Sequence, residues 1–162
     1  MEVDIIIDDE YQAQIEPDYL EQVAVATLRH IRPEGNLQLG IVVTGDEDVQ
    51  RLNREYRGID ATTDVLSFAM QDELIVSDED DEAIEQFPLY PDGIEQLGEV
   101  IISLPQAARQ AESGGHKLIQ EITILIIHGV LHLLGFDHEA DAEAEIMEKH
   151  EVDILAKVGG AA

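Results

Sequence analysis

The sequence predicts an α+β fold in one domain, with a small mixed sheet of four strands packed against about five helices. Three observations predict it. The 162 residues suit one domain and can bury roughly 70% of their unfolded surface. The hydrophobic share of 44% is ordinary for a globular protein, although the formal net charge is −27. Short apolar runs alternate with helical patterns, and helical patterns then finish the chain. There is no internal repeat and no separating linker, so 1–162 reads as a single domain.

The elements follow in order. Val3 to Ile7 is a short apolar run bounded by acids, a strand. Pro17-Asp18 opens a helix through Ile31, stopped near Pro33 and Gly35. Leu37 to Thr44 is apolar and β-branched, a second strand. Asp46 is a good N-cap for a helix to about Tyr56, which Gly58 ends. Asp64 to Met70 reads as a third strand. Asp72 to Glu95 holds ten acids and no basic residue, with Pro88, Pro91 and Gly93 near its end, and reads as a solvated loop. Gly98 to Ser103 is a fourth strand. Ser103 and Gln106 fit a capping box at the head of a helix to about Glu112, broken by Ser113-Gly114-Gly115. Lys117 to Leu134 is apolar nearly all round, so this helix is expected to be buried, with Gly135 placed to end it in a left-handed conformation. Glu139 to Val158 is a last, amphipathic helix.

Composition excludes some chemistry. There is no cysteine, so disulfides, thiolate nucleophiles and Cys-ligated metals are ruled out, and a metal would need histidine or carboxylate ligands. With 36 acids against 9 basic residues, a general electrostatic grip on nucleic acid or on an anionic membrane is not expected. Met1-Glu2-Val3-Asp4 is acidic, unlike the start of a signal peptide. The most apolar run, Ile122 to Phe136, is too short to span a bilayer. A soluble cytoplasmic protein is the expectation.

Three of the six histidines fall in one stretch, His128 to His138. His128 and His132 are four apart on a helix, so their rings leave one face and can share a metal. His138 follows Gly135 by three residues, and a glycine able to take positive φ lets the chain turn back toward them. A hydrogen-bonded core histidine is the simpler reading of any single imidazole. Two on one face of the most apolar helix favour a metal, because unpaired buried imidazoles cost several kcal/mol. Three neutral ligands leave a coordination position open, as in a catalytic site. Zinc is the default; nickel, copper or another divalent metal also suits imidazole. The spacing matches the metzincin pattern, but the position of that pattern's general-base glutamate is Gly129.

The stretch His128-Gly129-Val130-Leu131-His132-Leu133-Leu134-Gly135-Phe136-Asp137-His138 resembles the signature of the YbeY family, metal-dependent endoribonucleases of ribosomal RNA maturation. Two further blocks agree: Leu52-Asn53 with Tyr56-Arg57-Gly58 and Asp60, running on to Thr63-Asp64-Val65-Leu66-Ser67-Phe68, and Leu97 to Ser103. The chain departs from the pattern at Thr62 and Ala69, where prolines are common, and in the length of its acidic loop. The resemblance implies an α+β fold, His128, His132 and His138 as metal ligands, and cleavage of single-stranded RNA. It implies a role in maturing the 3′ end of 16S rRNA and in ribosome quality control. The implied partners are single-stranded RNA, rRNA and the ribosome or its small-subunit proteins, with neither DNA nor membrane. Two alternatives stand beside it: a metzincin-like hydrolase or protease, and a non-catalytic ribosome-assembly factor with a structural metal.

Arg51, Arg54 and Arg57 lie three apart and would form a stripe on one helix. Arg51 and Arg54 read as partners of Glu47, Asp48 or Glu55. Arg57 sits at the helix end within the resembling motif; the resemblance marks it as important for activity, and it is expected to face the metal cleft and stabilise phosphodiester charge. Glu121 could support a ligand or pair with Lys117, Asp137 could orient His138, and His116 could cap the histidine-bearing helix. His30 and His150 read as structural or surface residues. The sequence singles out no general base.

Overall fold

The computed structural model describes residues 1–70, 93–136 and 140–158. The elements are β1 (Glu2–Ile7), a 3-10 turn (Asp9–Tyr11), α1 (Pro17–Ile31), β2 (Leu37–Thr44), α2 (Asp46–Arg57), β3 (Val65–Ala69), β4 (Glu95–Ser103), α3 (Leu104–Gly114), α4 (Leu118–Leu133) and α5 (Asp141–Val158). The expected α+β architecture is present: the described residues form a four-stranded mixed sheet and five α-helices. The sheet order is β1-β2-β4-β3, with β1, β2 and β4 parallel and β3 antiparallel on the edge.

Strand alternation divides the core. Leu37, Leu39, Ile41 and Val43 of β2 and Val100 and Ile102 of β4 point into the main core. Ile101 points the other way and packs with Val49 and Leu66 beneath α2, supported by Val42, Leu52 and Phe68. Helix α4 runs through the main core, where Ile122, Ile126, Val130 and Leu131 are fully buried, as its nearly continuous apolar surface requires. No helix among the described residues is long and apolar enough to cross a membrane.

Local signals set most boundaries. Pro17 stands at the start of α1. Gly58 at φ 72° and Gly115 at φ 71° close α2 and α3, and Gly135 at φ 101° turns the chain just after α4. Ser103 Oγ accepts from the Gln106 N–H at 3.3 Å, the forward half of the expected capping box.

Three details differ from the sequence reading. Gly45, not Asp46, is the N-cap of α2, because the Asp46 carboxylate is turned to Ser103 Oγ (2.7 Å) and Arg109 (2.9 Å) on a neighbouring element. Strand β3 is one residue shorter at each end; Asp64 Oδ1 accepts from the Val65 N–H at 2.8 Å and so closes the ladder. Strand β4 begins at Glu95, inside the expected acidic loop, because Leu97 bulges between Gln96 and Gly98 and the ladder continues past it. Gly98, at φ 131°, lies where any Cβ would collide with the Phe68 carbonyl oxygen. The remainder of the acidic loop, 71–92, lies outside the described residues.

Candidate functional site

Helix α4 carries His128 and His132 on one face, above edge strand β3 and the end of α2. Their Nε2 atoms are 3.1 Å apart and their ring centroids 4.5 Å apart. Two nitrogens bound to one tetrahedral zinc at about 2.0–2.1 Å would be separated by roughly 3.3 Å, a spacing close to that of this pair. His128 Nδ1 lies 3.3 Å from Glu151 Oε2 on α5. With Nδ1–H donated to that carboxylate, the Nε2 lone pair points at His132, the arrangement that fixes a ligand's tautomer and orientation. His138, the expected third ligand, and Asp137 lie outside the described residues. Among the described residues no group of three His, Cys, Asp or Glu is placed to hold a metal.

The two imidazoles line an open cleft of about 630 Å³, together with Asn53, Arg57, Thr63 and Ser67. None of the described residues that line it is acidic, in a chain whose formal charge is −27. Arg57, which the sequence places near the metal cleft, is the one arginine or lysine among the described residues that line it. Its Nη2 donates to the Ser67 carbonyl at 2.7 Å, and its guanidinium lies 5.6 Å from the Phe68 ring centroid. The arginine stripe does not act as a unit. Arg51 pairs with Asp48 at 3.4 Å, as expected, while Arg54 reaches across to Asp60 at 3.5 Å rather than to an acid of its own helix.

Edge strand β3 supplies the opposite wall. Ser67 Oγ donates to the Gly129 carbonyl at 3.2 Å, tying the strand to α4 at the residue after His128. A Cβ on Gly129 would lie 2.7 Å from Val100 Cγ1. The position that holds glutamate in the metzincin pattern here faces the sheet, with no room for a side chain.

Glu121 and His116 take neither of their expected roles. Glu121 is buried and accepts from Gln110 Nε2 at 2.8 Å, while its other oxygen lies 2.6 Å from His116 Nε2. It meets neither Lys117 nor a ligand histidine because the turn of its helix directs it at α3. Gln110 Nε2 also donates to Asp64 Oδ2 at 3.1 Å, so this network braces the Thr63-Asp64-Val65 turn at the rim of the cleft. The α4 N-terminus is met instead by Gln120, whose Oε1 accepts from the Lys117 N–H at 3.0 Å. His30 and His150 are structural: they meet at 3.3 Å, and Lys157 Nζ lies 2.7 Å from His30. Burial first, then the Lys157 charge, holds His30 below its ordinary value. Sequence reasoning missed Glu151 and Ser67 as parts of the site. An acid on an acidic amphipathic helix carries no local signal, and Ser67 acquires its role only when α4 packs on β3.

Comparison with known proteins bears on this geometry directly. The family model of endoribonuclease YbeY matches residues 5–159. The chain belongs to the YbeY family. A relative named endoribonuclease YbeY from Dehalococcoides mccartyi strain CBDB1 is 43% identical over 157 residues, covering 97% of this chain and 92% of the relative. Another from Roseiflexus sp. strain RS-1 is 40% identical, covering 97% and 92%. One from Heliobacterium modesticaldum is 44% identical over 141 residues, covering 86% and 81%. The solution structure of a Thermotoga maritima protein matches with a TM-score of 0.56 at 20% identity, covering 96% of this chain and 90% of that one, which shows the shared fold. The expected YbeY resemblance is thereby established over nearly the whole chain.

Proposed function

We propose that this YbeY-family chain is a zinc-dependent endoribonuclease that cuts single-stranded RNA, with His128, His132 and His138 as the metal ligands. The carrying observation is the cleft: among the described residues its lining holds one arginine and two convergent imidazoles and no carboxylate, in a strongly acidic protein. That combination concentrates positive potential where a phosphodiester must sit and leaves the rest of the surface repelling it. The names of the relatives add the reaction class.

Within this reading the residues divide the work. Glu151 orients His128 so that its Nε2 faces the shared position. Arg57, tethered through one N–H to the Ser67 carbonyl, offers its remaining donors to phosphate oxygens and stabilises charge developing on them. When bound, the cation supplies Lewis acidity toward the phosphodiester and acidifies water. The narrowness of the positive region means that contact with naked RNA is weak, and basic small-subunit ribosomal proteins supply much of the docking energy. The biological setting we propose is maturation of the 16S rRNA 3′ end and ribosome quality control, in the cytoplasm.

The test incubates purified protein with single-stranded RNA, duplex RNA and casein, with and without chelator, beside His132→Ala and Arg57→Ala. We expect chelator-sensitive cleavage of the single strand alone, abolished in His132→Ala. Arg57→Ala is expected to cut roughly 10²–10³-fold more slowly with its metal content unchanged. Cleavage that survives in His132→Ala, or casein hydrolysis, would overturn the reading.

A further inference from the structure

Next to the cleft, an aromatic surface is left open that neither fold nor metal site uses. Tyr56 is 66% exposed and Ile59 54% exposed, three positions apart at the end of α2. A lone exposed apolar residue is ordinary. Here Ile59 lines the cleft, and Tyr56 neighbours Arg57, which also lines it. The Tyr56 ring also stands against Phe68, with centroids 5.4 Å apart and planes at 60°. Phe68 in turn packs onto the smaller core cluster and lies under the Arg57 guanidinium. The core thus anchors Phe68, and Phe68 holds Tyr56 and Arg57 on adjacent sides of one ring. An aromatic face held in this way loses little freedom when a ligand covers it.

We propose that Tyr56, with Ile59 as the facing lip, is a stacking subsite for an unpaired nucleobase of the RNA strand whose phosphate lies at Arg57. This inference rests on the ribonuclease reading above and names the feature of the substrate that the site selects. A protein of formal charge −27 cannot gather affinity from many phosphate contacts. Stacking is indifferent to the protein's charge and to base identity, and it is a main source of affinity in proteins that bind single strands. It also accounts for strand selection, because a base inside a duplex is already stacked on its neighbours and cannot cover Tyr56.

The experiment uses metal-loaded full-length protein and a short unstructured RNA, reading steady-state cleavage and fluorescence-anisotropy binding. Tyr56→Ala is expected to raise KM and Kd about tenfold, with kcat changed far less, while Tyr56→Phe keeps wild-type values. A scan of single abasic positions along the RNA should find one position whose loss matches that of Tyr56→Ala. At that position the two losses should not add, because each removes one partner of the same stack. Wild-type KM and Kd in Tyr56→Ala, or full additivity at every position, would overturn the subsite while leaving RNA cleavage standing. A wild-type protein that neither binds nor cuts RNA would overturn both readings together.

Discussion

Gly129 offers the sharpest test of how α4 is seated. Alanine there would place a Cβ 2.7 Å from Val100 Cγ1, 3.1 Å from Val100 Cγ2 and 3.3 Å from Ser67 Oγ. Favourable carbon contacts lie at about 3.5–4.0 Å, so the helix must lift by up to an ångström or Val100 must move. Val100 is fully buried and β-branched, and rotating it exchanges one methyl for the other. Overpacking of this kind costs about 1–3 kcal/mol. Against it stands the helix-propensity gain of about 1 kcal/mol for replacing a mid-helix glycine. The balance is a net destabilisation of up to about 2 kcal/mol, a fall in Tm of up to roughly 8 °C for a domain of this size. Thermal unfolding of Gly129→Ala measures it directly. The double variant with Val100→Ala supplies the internal check: with both Cγ atoms gone, alanine at 129 should no longer cost stability, giving a coupling of about 1–3 kcal/mol. A higher Tm in the single variant, or a coupling near zero, would refute the close approach of α4 to β4.

Two further outcomes follow from the polar contacts. Burial alone would raise the Asp46 carboxyl, but hydrogen bonds from Ser103 and Arg109, with the Arg109 charge, outweigh it and hold the group below its ordinary value of 3.8. A depressed folded-state pKa adds stability that is complete above the unfolded value and is lost as pH falls through the folded one. Asp46→Asn should therefore be less stable than wild type near pH 7, with the gap closing below about pH 4 in urea titrations; a gap that stays constant into acid would show that the charge is not its source. Glu151→Gln is expected to weaken zinc affinity about 10–100-fold in chelator competition, with helical circular dichroism unaltered. Equal affinity in the two proteins would remove Glu151 from the site.

Much of the fold was legible because its signals are local. Pro17, Ser103 with Gln106, Gly58 and Gly135 act within a turn of their own position, and the structure finds each where the sequence placed it. The readings that failed involve side chains with more than one eligible partner. Asp46 is an excellent N-cap by type, yet its carboxylate serves Ser103 and Arg109. Glu121 had Lys117 within reach along the helix and was captured by Gln110 and His116 instead. Such competitions are decided by which elements pack together, and no window of sequence contains that information.

The candidate site divides in the same way. The sequence by itself determined that His128 and His132 share a helix face, since four residues make about one turn wherever the helix lies. Its motif blocks also determined the family, and the absence of cysteine limited the possible ligands. Only the tertiary structure decided that β4 lies between β2 and β3, that Glu151 arrives behind His128 from the last helix, and that Gly129 is a contact with the sheet as well as a missing base. It also decided that a chain so acidic keeps every carboxylate out of the described lining of its cleft. Composition sums charge over the whole chain, whereas a phosphate meets only the few groups within a Debye length of about 8–10 Å, and folding alone selects which groups those are.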